Sequence, residues 1–447
     1  MNAGYLDVPV TASEALAVGR DVYYGHGKIE ILPKITVGGL RDMAVSYTPG
    51  VGHVVKHLLA CPEALHEQAA KDNMIALISD GTAVLGYGNV GPHAGIPVME
   101  GKAAMFKMLA GIDCMPLCVS ARGPQHLIDI IEALEPTFGG FNIEDVAAPH
   151  CFTLMHGLSR TVGVPSLHDD QFGTATVVTA ALINAFAVLG RKPESMRVVV
   201  SGIGAAGSAT ITMLEALGVG DIVAVDRVGI LRSGDQLAHS HWREIAERTN
   251  RERLSGGIAE ALRGADVFVG VSVEGLVSPA MVRTMNRDPI VFGLANPEPE
   301  ILPGDALAAG AAIVASGRFD FPNHCNNVLA FPGLMRGALD SKARRISVGM
   351  CLAAARAVAA TVPEKELCAS HILPSPLDAD VHANVADAVA QRAVTEDLAR
   401  VFVEPGASAA KTRHLQELVA LRQRELPSLN AMRNSFRGEI GQAPISR

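Results

Sequence analysis

Two acidic pairs and one lysine stand out in this chain for residue types and surroundings that suit chemistry. Glu144–Asp145 and Asp169–Asp170 each begin just after an apolar run and have no basic neighbour in sequence. Carboxylates at strand ends suit a hard divalent cation such as Mg²⁺ or Mn²⁺, which prefers oxygen ligands. The same residues suit helix caps, Asp169 and Asp170 above all, because an apolar helical pattern starts right behind them. Spacing alone leaves both readings open. His168 beside them reads as an ordinary hydrogen-bonding partner. Lys102 is expected at the start of an apolar helix, where desolvation and the positive helix end both lower an ammonium pKa and turn a lysine into a base near neutral pH. A snorkelling surface lysine is the plainer alternative.

A third group is the string Gly202–Ile203–Gly204–Ala205–Ala206–Gly207, which follows the apolar run Arg197–Ser201 and opens a periodic apolar helix. Gly202 and Gly204 let a backbone approach a pyrophosphate, and Gly207 lets helix and strand pack closely. The N–H groups of the first turn, at Ala205 and Ala206, face the phosphates together with the positive helix end. A second strand ends in Asp226, 19 residues beyond Gly207, close to the offset of roughly 20 expected of a ribose-binding acid. That context reads as a dinucleotide site. Asp226 accepts hydrogen bonds from a ribose diol and repels a 2′-phosphate, which favours NAD; Arg227 beside it is suited to pair with that phosphate in NADP.

These groups need a scaffold that brings strand ends together. Residues 46–165 mix strand-like runs (75–78, 115–119) with helical patterns (101–110, 124–134), and residues 1–45 read as a helical and irregular lead-in. From 166 to 340 strands and helices alternate regularly, with strands expected at 197–201, 221–226, 266–270, 289–293 and 311–315. Nearly continuous apolar strands between helices argue a parallel, doubly wound sheet. After 340 the pattern is helical (341–360, 384–398). The expected architecture is therefore an α/β N-terminal domain over 1–165 and a Rossmann-like domain over 166–340, with helices of 341–447 packing back on the first.

Length and composition bound the rest. The chain has 447 residues, with 38 Lys+Arg against 46 Asp+Glu, a formal charge of −8 that speaks against a nucleic-acid footprint. Hydrophobic residues make up 49% and charged residues 19%, enough for a large core. The most apolar stretches, 176–189 and 348–362, are interrupted by Asn184 or Arg356 before they reach membrane-spanning length. The N-terminus has no basic segment leading into an apolar one, so the expectation is a cytosolic protein without a membrane partner. Seven scattered cysteines do not form a disulfide framework and read as small buried hydrophobes.

Taken together, SYTPGV (46–51), SDGTAVLGYGNVGP (79–92), PVMEGK (97–102), FGGFNIEDVAAP (138–149), HDDQFGTA (168–175), GIGAAG (202–207), FGLANPEPEI (292–301) and NNVLAFPG (326–333) resemble the motifs of bacterial malic enzymes. They run in order over about residues 25 to 400. The resemblance implies oxidative decarboxylation of L-malate to pyruvate and CO₂ with NAD or NADP and Mg²⁺ or Mn²⁺, usually in homo-oligomers. It also implies Tyr47 as general acid, Lys102 as general base, and Glu144, Asp145 and Asp170 as metal ligands. Asp169 matches the acid beside the catalytic lysine, and Asn296 and Asn327 match amides that hold the substrate, Asn296 also lying on the cofactor side. Taken alone, Tyr47 reads as a packed aromatic with a wet hydroxyl.

Some positions depart from the family strings: Phe172, His150, Phe319, Phe321 and the segment Ser120–Gly123 with Arg122. They fit drift around an unchanged centre, or a pocket reshaped for a substituted malate or related 2-hydroxy acid. A silent cofactor-binding protein has no physical need for the desolvated lysine beside the carboxylates.

Overall fold

A computed structural model describes residues 27–84 and 86–425. The chain enters through two helices, α1 (Leu40–Ser46) and α2 (Val51–Ala60), neither of which buries a single residue. It then builds a four-stranded parallel sheet from β1 (Met74–Ser79), β2 (Asp113–Cys118), β3 (Gly140–Ile143) and β4 (Ser166–His168), ordered β2-β1-β3-β4. The crossovers are α3 (Gly91–Ala110), α4 (Pro124–Leu134) and α5 (His150–Thr161).

Helix α3 is twice as long as its sequence suggests. Gly91, Gly95 and Pro97 look like breakers, yet the helix runs through them because Gly95, Met99, Ala103 and Phe106 form its buried face. Tertiary burial of that face outweighs the local propensity cost. Lys102 therefore sits in the middle of a helix and not at its start, so the expected help from the helix dipole is absent.

A π-type turn, Asp169–Gly173, leads into α6 (Thr174–Val188), whose residues are buried almost all round. Among the described residues one helical span, Asp169–Val188, is long and apolar enough to cross a membrane, and 72% of it is buried inside the protein. An all-round apolar helix of this kind is a core helix. It precedes the second sheet, ordered β10-β9-β8-β5-β6-β7. Strands β5 (Arg197–Ser201), β6 (Asp221–Asp226), β8 (Val267–Gly270), β9 (Ile290–Gly293) and β10 (Ile313–Ser316) are parallel. The two-residue β7 (Gly229–Ile230) turns back antiparallel on β6. Helix α7 (Ala205–Leu217) follows β5, and α8 (Ser240–Arg248) covers the loop at the top of β5.

The C-terminal helices are α9 (Phe331–Asp340), α10 (Val348–Thr361), α11 (Ala379–Thr395) and α12 (Ala407–Gln423). They do not pack on the first half alone. Helix α10 lies on α6 and α7, while α9 and α12 lie on α3, where Gln416 donates to the carbonyl of Leu109 at 2.7 Å. The physical reason is α6 itself, which needs apolar cover on every side. One core cluster consequently runs from Ile75 and Phe106 through α6 to Val198 and Val200. Arg336, fully buried in α9, is paired with Asp340 at 2.6 Å and also bonds Asn73. The seven cysteines are free thiols; Cys151, Cys325 and Cys351 are buried, and Cys368 is exposed.

Candidate active site

Parallel strands end together, and the two acidic pairs lie just past the C-terminal ends of β3 and β4, which are hydrogen-bonded neighbours. Ligand oxygens of Glu144, Asp145 and Asp170 lie within 4.8 Å of one another. Asp145 takes a left-handed backbone, φ 54°, an uncommon conformation for a residue with a side chain. Its N–H donates to Asp170 Oδ2 at 2.8 Å, and its carbonyl accepts from the N–H of Ala83 at 2.9 Å. The loop Asp80–Val90 thus holds the turn that aims Asp145, with Thr82 Oγ1 donating to Asp80 and accepting from the N–H of Ala147.

Lys102 enters from α3 and bonds both Glu144 and Asp169, its Nζ lying 4.6 Å from the centre of the Phe331 ring. Asn327 donates to Asp169 Oδ2 at 2.7 Å. Asn142, buried on β3, donates to Glu144 at 3.3 Å. Gly173 makes room for this arrangement: a Cβ there would stand 1.7 Å from Asp169 Oδ1.

Four carboxylates against one ammonium set the electrostatics. Burial, reinforced by its neighbours, pushes the Asp145 carboxyl up to about 7. Burial raises Asp169 to about 6 despite Lys102, and Glu144 stands well above the ordinary range for the same reason. For Lys102, burial disfavours the charge, but Asp169 and Glu144 more than reverse this and hold its pKa above the ordinary lysine value. The expected lowered pKa is therefore corrected: in this arrangement Lys102 is a firmly held ammonium. His168 is fully buried with its Nδ1 3.9 Å from Asp170 Oδ2, and burial holds its pKa below the ordinary imidazole value.

The donor set fits a hard dication. Asp145 Oδ2 and Asp169 Oδ1 are buried and accept from no group among the described residues, which is costly for carboxylates unless a cation is near. Glu144, Asp145 and Asp170 would hold it.

The same centre touches the glycine loop. The Asp169–Gly173 turn packs on α7, and Ala205 packs against the core of the first sheet. A Cβ on Gly207 would stand 2.0 Å from the carbonyl oxygen of Gly202. Asp226 Oδ2 accepts from the N–H of Ile203 at 2.6 Å, and its Oδ1 from the N–H of Arg227 at 2.7 Å. The Ile203 carbonyl is bonded by His241 and by Trp242 Nε1, both at 3.0 Å, and the Arg227 guanidinium lies 5.4 Å from the Trp242 ring. His241 also stacks on Phe152 of α5, joining the two halves. Asn296 follows β9 and donates to the Leu294 carbonyl at 3.3 Å.

Sequence reasoning did not single out Glu300, yet it is fully buried. It accepts from Ser272 N at 2.6 Å, Ser272 Oγ at 2.9 Å and Ala295 N at 3.0 Å. These bonds tie together the loops beyond β8 and β9, and the only signal was an acid among prolines in NPEPEI.

Tyr47 is not brought to this centre. It follows α1 as its C-terminal cap, its N–H donating to the Met43 carbonyl, with 73% of its surface exposed. Of the departures from the family strings, Phe172 lies in the Asp169–Gly173 turn itself. Phe319 is exposed against His324, Phe321 faces Arg318, Phe172 packs on the main core, and Arg122 and His150 are exposed.

Comparison with known proteins agrees with this geometry. Residues 26–126 match the malic enzyme N-terminal domain family, and residues 172–394 the malic enzyme NAD binding domain family. The chain is 45% identical over 391 residues to a bifunctional malic/malolactic enzyme of Bacillus subtilis, covering 87% of this chain and 95% of that one. It is 44% identical to an NAD-dependent malic enzyme of Geobacillus stearothermophilus (84% and 78% covered). It is 40% identical to an NADP-dependent malic enzyme of Rhizobium meliloti (88% and 54% covered). The crystal structure of malic enzyme from Pyrococcus horikoshii superimposes with a TM-score of 0.89 at 41% identity, covering 95% and 99% of the two chains.

Proposed function

Because the chain belongs to the malic enzyme family, we propose that it oxidatively decarboxylates L-malate to pyruvate and CO₂ with reduction of a nicotinamide dinucleotide, NAD in preference to NADP. The observation that carries this reading is the buried Lys102–Asp169–Glu144 group, flanked by a three-carboxylate cation site and packed on the helix that follows the glycine loop.

When bound, the dication supplies positive charge against the negative charge that develops on the substrate oxygen, and the nicotinamide supplies the hydride acceptor. Lys102 is the group positioned to take the C2 hydroxyl proton. Its ammonium state is held by Asp169 first and by Glu144 and Asp170 after it; engaging Glu144 and Asp170 as cation ligands would remove their part of the field that holds the proton, leaving Asp169 as its direct partner. Asp169, held by Asn327, keeps the Nζ aimed and receives its charge when the proton arrives. Asn296 and Asn327 line the substrate side, and Gly202, Gly204, Ala205, Ala206, Gly207, Asp226 and Arg227 hold the dinucleotide. The units proposed for these tasks are 1–165, 166–340 and 341–447. The reading extends to a homo-oligomer working in the cytosol, supported by the unburied apolar surface of α1 and α2 and by the free thiols.

The test is nicotinamide reduction with L-malate and Mn²⁺, with NAD⁺ and NADP⁺ in parallel. Pyruvate formation abolished by a chelator is the expected result, and Lys102→Ala lowers kcat at least about a hundredfold. A Lys102→Ala variant with normal turnover refutes the base assignment.

A further inference from the structure

The Ile203 peptide of the glycine loop is held from three directions. Its N–H donates to Asp226 Oδ2 at 2.6 Å, and its carbonyl accepts from His241 Nε2 and Trp242 Nε1, both at 3.0 Å. A carbonyl only accepts, so the imidazole carries its proton on Nε2. His241 differs from the other two partners in what lies behind it. Its ring rests against Phe152, in the first turn of α5, with ring centres 4.5 Å apart and planes tilted by 38°, a spacing at which two rings attract. Both side chains are half-buried. One residue of α8 thus grips the loop that holds the dinucleotide and, with its other face, the half of the chain that carries the acidic cluster.

Phe152 stands seven residues beyond Asp145, and the span between them is tied at each step. The Asp145 N–H donates to Asp170 Oδ2 at 2.8 Å and the Ala147 N–H to Thr82 Oγ1 at 2.9 Å. The Cys151 N–H donates to the Ala147 carbonyl and the Phe152 N–H to the Pro149 carbonyl, both at 3.1 Å. A dication held by Glu144, Asp145 and Asp170 fixes the start of this series, and the Phe152 ring is its end. The packing of the Asp169–Gly173 turn on α7 is a second bridge between the halves, made by neither ring.

We propose that His241 is a positioning residue that, with Phe152, couples the acidic cluster to the glycine loop, so that Mn²⁺ and NAD⁺ each tighten the binding of the other. The inference rests on the reading of these two places as the dication and dinucleotide sites. Linkage requires that both ligands gain by the same factor. The coupling serves hydride transfer, because the nicotinamide has to meet C2 of a substrate held at the other end of the bridge. A misplacement of about 1 Å there costs on the order of a hundredfold.

The test is a linkage measurement without malate, so that nothing turns over. NAD⁺ is titrated by Trp242 fluorescence with and without saturating Mn²⁺, and Mn²⁺ with and without NAD⁺ by the electron paramagnetic resonance of the free ion. In the wild type each ligand is expected to tighten the other about five- to tenfold, between the smallest common coupling and the most that one aromatic pair sustains. His241→Gln keeps an N–H donor and loses the ring, and Phe152→Leu keeps the bulk and loses the ring. Each is expected to bring the factor down to about twofold or less, whereas Phe152→Tyr retains the wild-type factor. The factor is a ratio within one variant, so a general loss of affinity or stability divides out. Calorimetry replaces fluorescence where a substitution beside Trp242 removes its signal, and Phe152→Met replaces Phe152→Leu if that chain does not fold. A wild type that binds both ligands with no mutual effect overturns the inference. So does an undiminished factor in either His241→Gln or Phe152→Leu, since the contact needs both rings. A wild type that binds neither ligand alone removes the underlying reading, and the inference with it.

Discussion

Replacing Asp226 with serine tests how the nucleotide is chosen. Each Asp226 oxygen already accepts one backbone N–H, from Ile203 and from Arg227, which fixes the carboxylate at the end of β6 and leaves its outer lone pairs for a ribose diol. Hydrogen bonds to a charged group contribute about 1.5–3 kcal/mol, so Asp226→Ser weakens NAD⁺ binding by about 10- to 150-fold. A 2′-phosphate brought to about 5 Å of the carboxylate is opposed by roughly 3 kcal/mol per unit charge at an effective dielectric of 20. Arg227 offsets part of that, since its guanidinium lies over Trp242 and 3.3 Å from His239 on the same rim. Removing the carboxylate therefore strengthens NADP⁺ binding while it weakens NAD⁺ binding, and the preference inverts. The assay is built into the protein: Trp242 is the chain's single tryptophan and bonds the glycine loop through Nε1, so its fluorescence reports binding of either nucleotide without turnover. A wild-type protein that binds NADP⁺ more tightly than NAD⁺, or an Asp226→Ser variant with unchanged NAD⁺ affinity, refutes the reasoning.

Gly173→Ala puts a methyl 1.7 Å from Asp169 Oδ1 and must turn that carboxylate off Lys102. A misplacement of this kind costs on the order of a hundredfold in kcat, and unchanged kcat in steady-state assays would show that the Lys102–Asp169 contact is dispensable. Glu300→Gln sets an amide NH₂ against the N–H donors of Ser272 or Ala295, and a loss of about 2–4 kcal/mol in urea unfolding is expected, together with weaker nucleotide binding. An unaltered midpoint contradicts its role in tying the two loops. His382, fully buried with Nε2 on the Pro376 carbonyl, has its pKa pushed by burial down to about 4. The unfolded chain then binds the extra proton between about pH 6.5 and 4 while the folded one does not. Stability from this residue is complete above pH 6.5 and falls as pH drops, by about 2 kcal/mol between pH 7.5 and 5.0. The difference between wild type and His382→Gln in urea midpoints at those two pH values isolates it, and equal slopes count against the assignment.

What could be read in advance follows from how local each signal is. The acidic pairs and the glycine string were legible because each closes a short apolar strand, and parallel strands of one sheet must end on one side. Lys102 was legible as a residue and misread as an electrostatic object. Gly91, Gly95 and Pro97 hid the first half of α3, and the carboxylates that hold its proton arrive from β3 and β4, 42 and 67 residues away. Glu300 escaped notice because its partners are two loops joined only in the folded sheet. Tyr47 marks the far limit of such reading. Its motif names it, but no periodicity or spacing says where the short helices around it come to rest, and in the structure it stands exposed beside α1, which buries no residue.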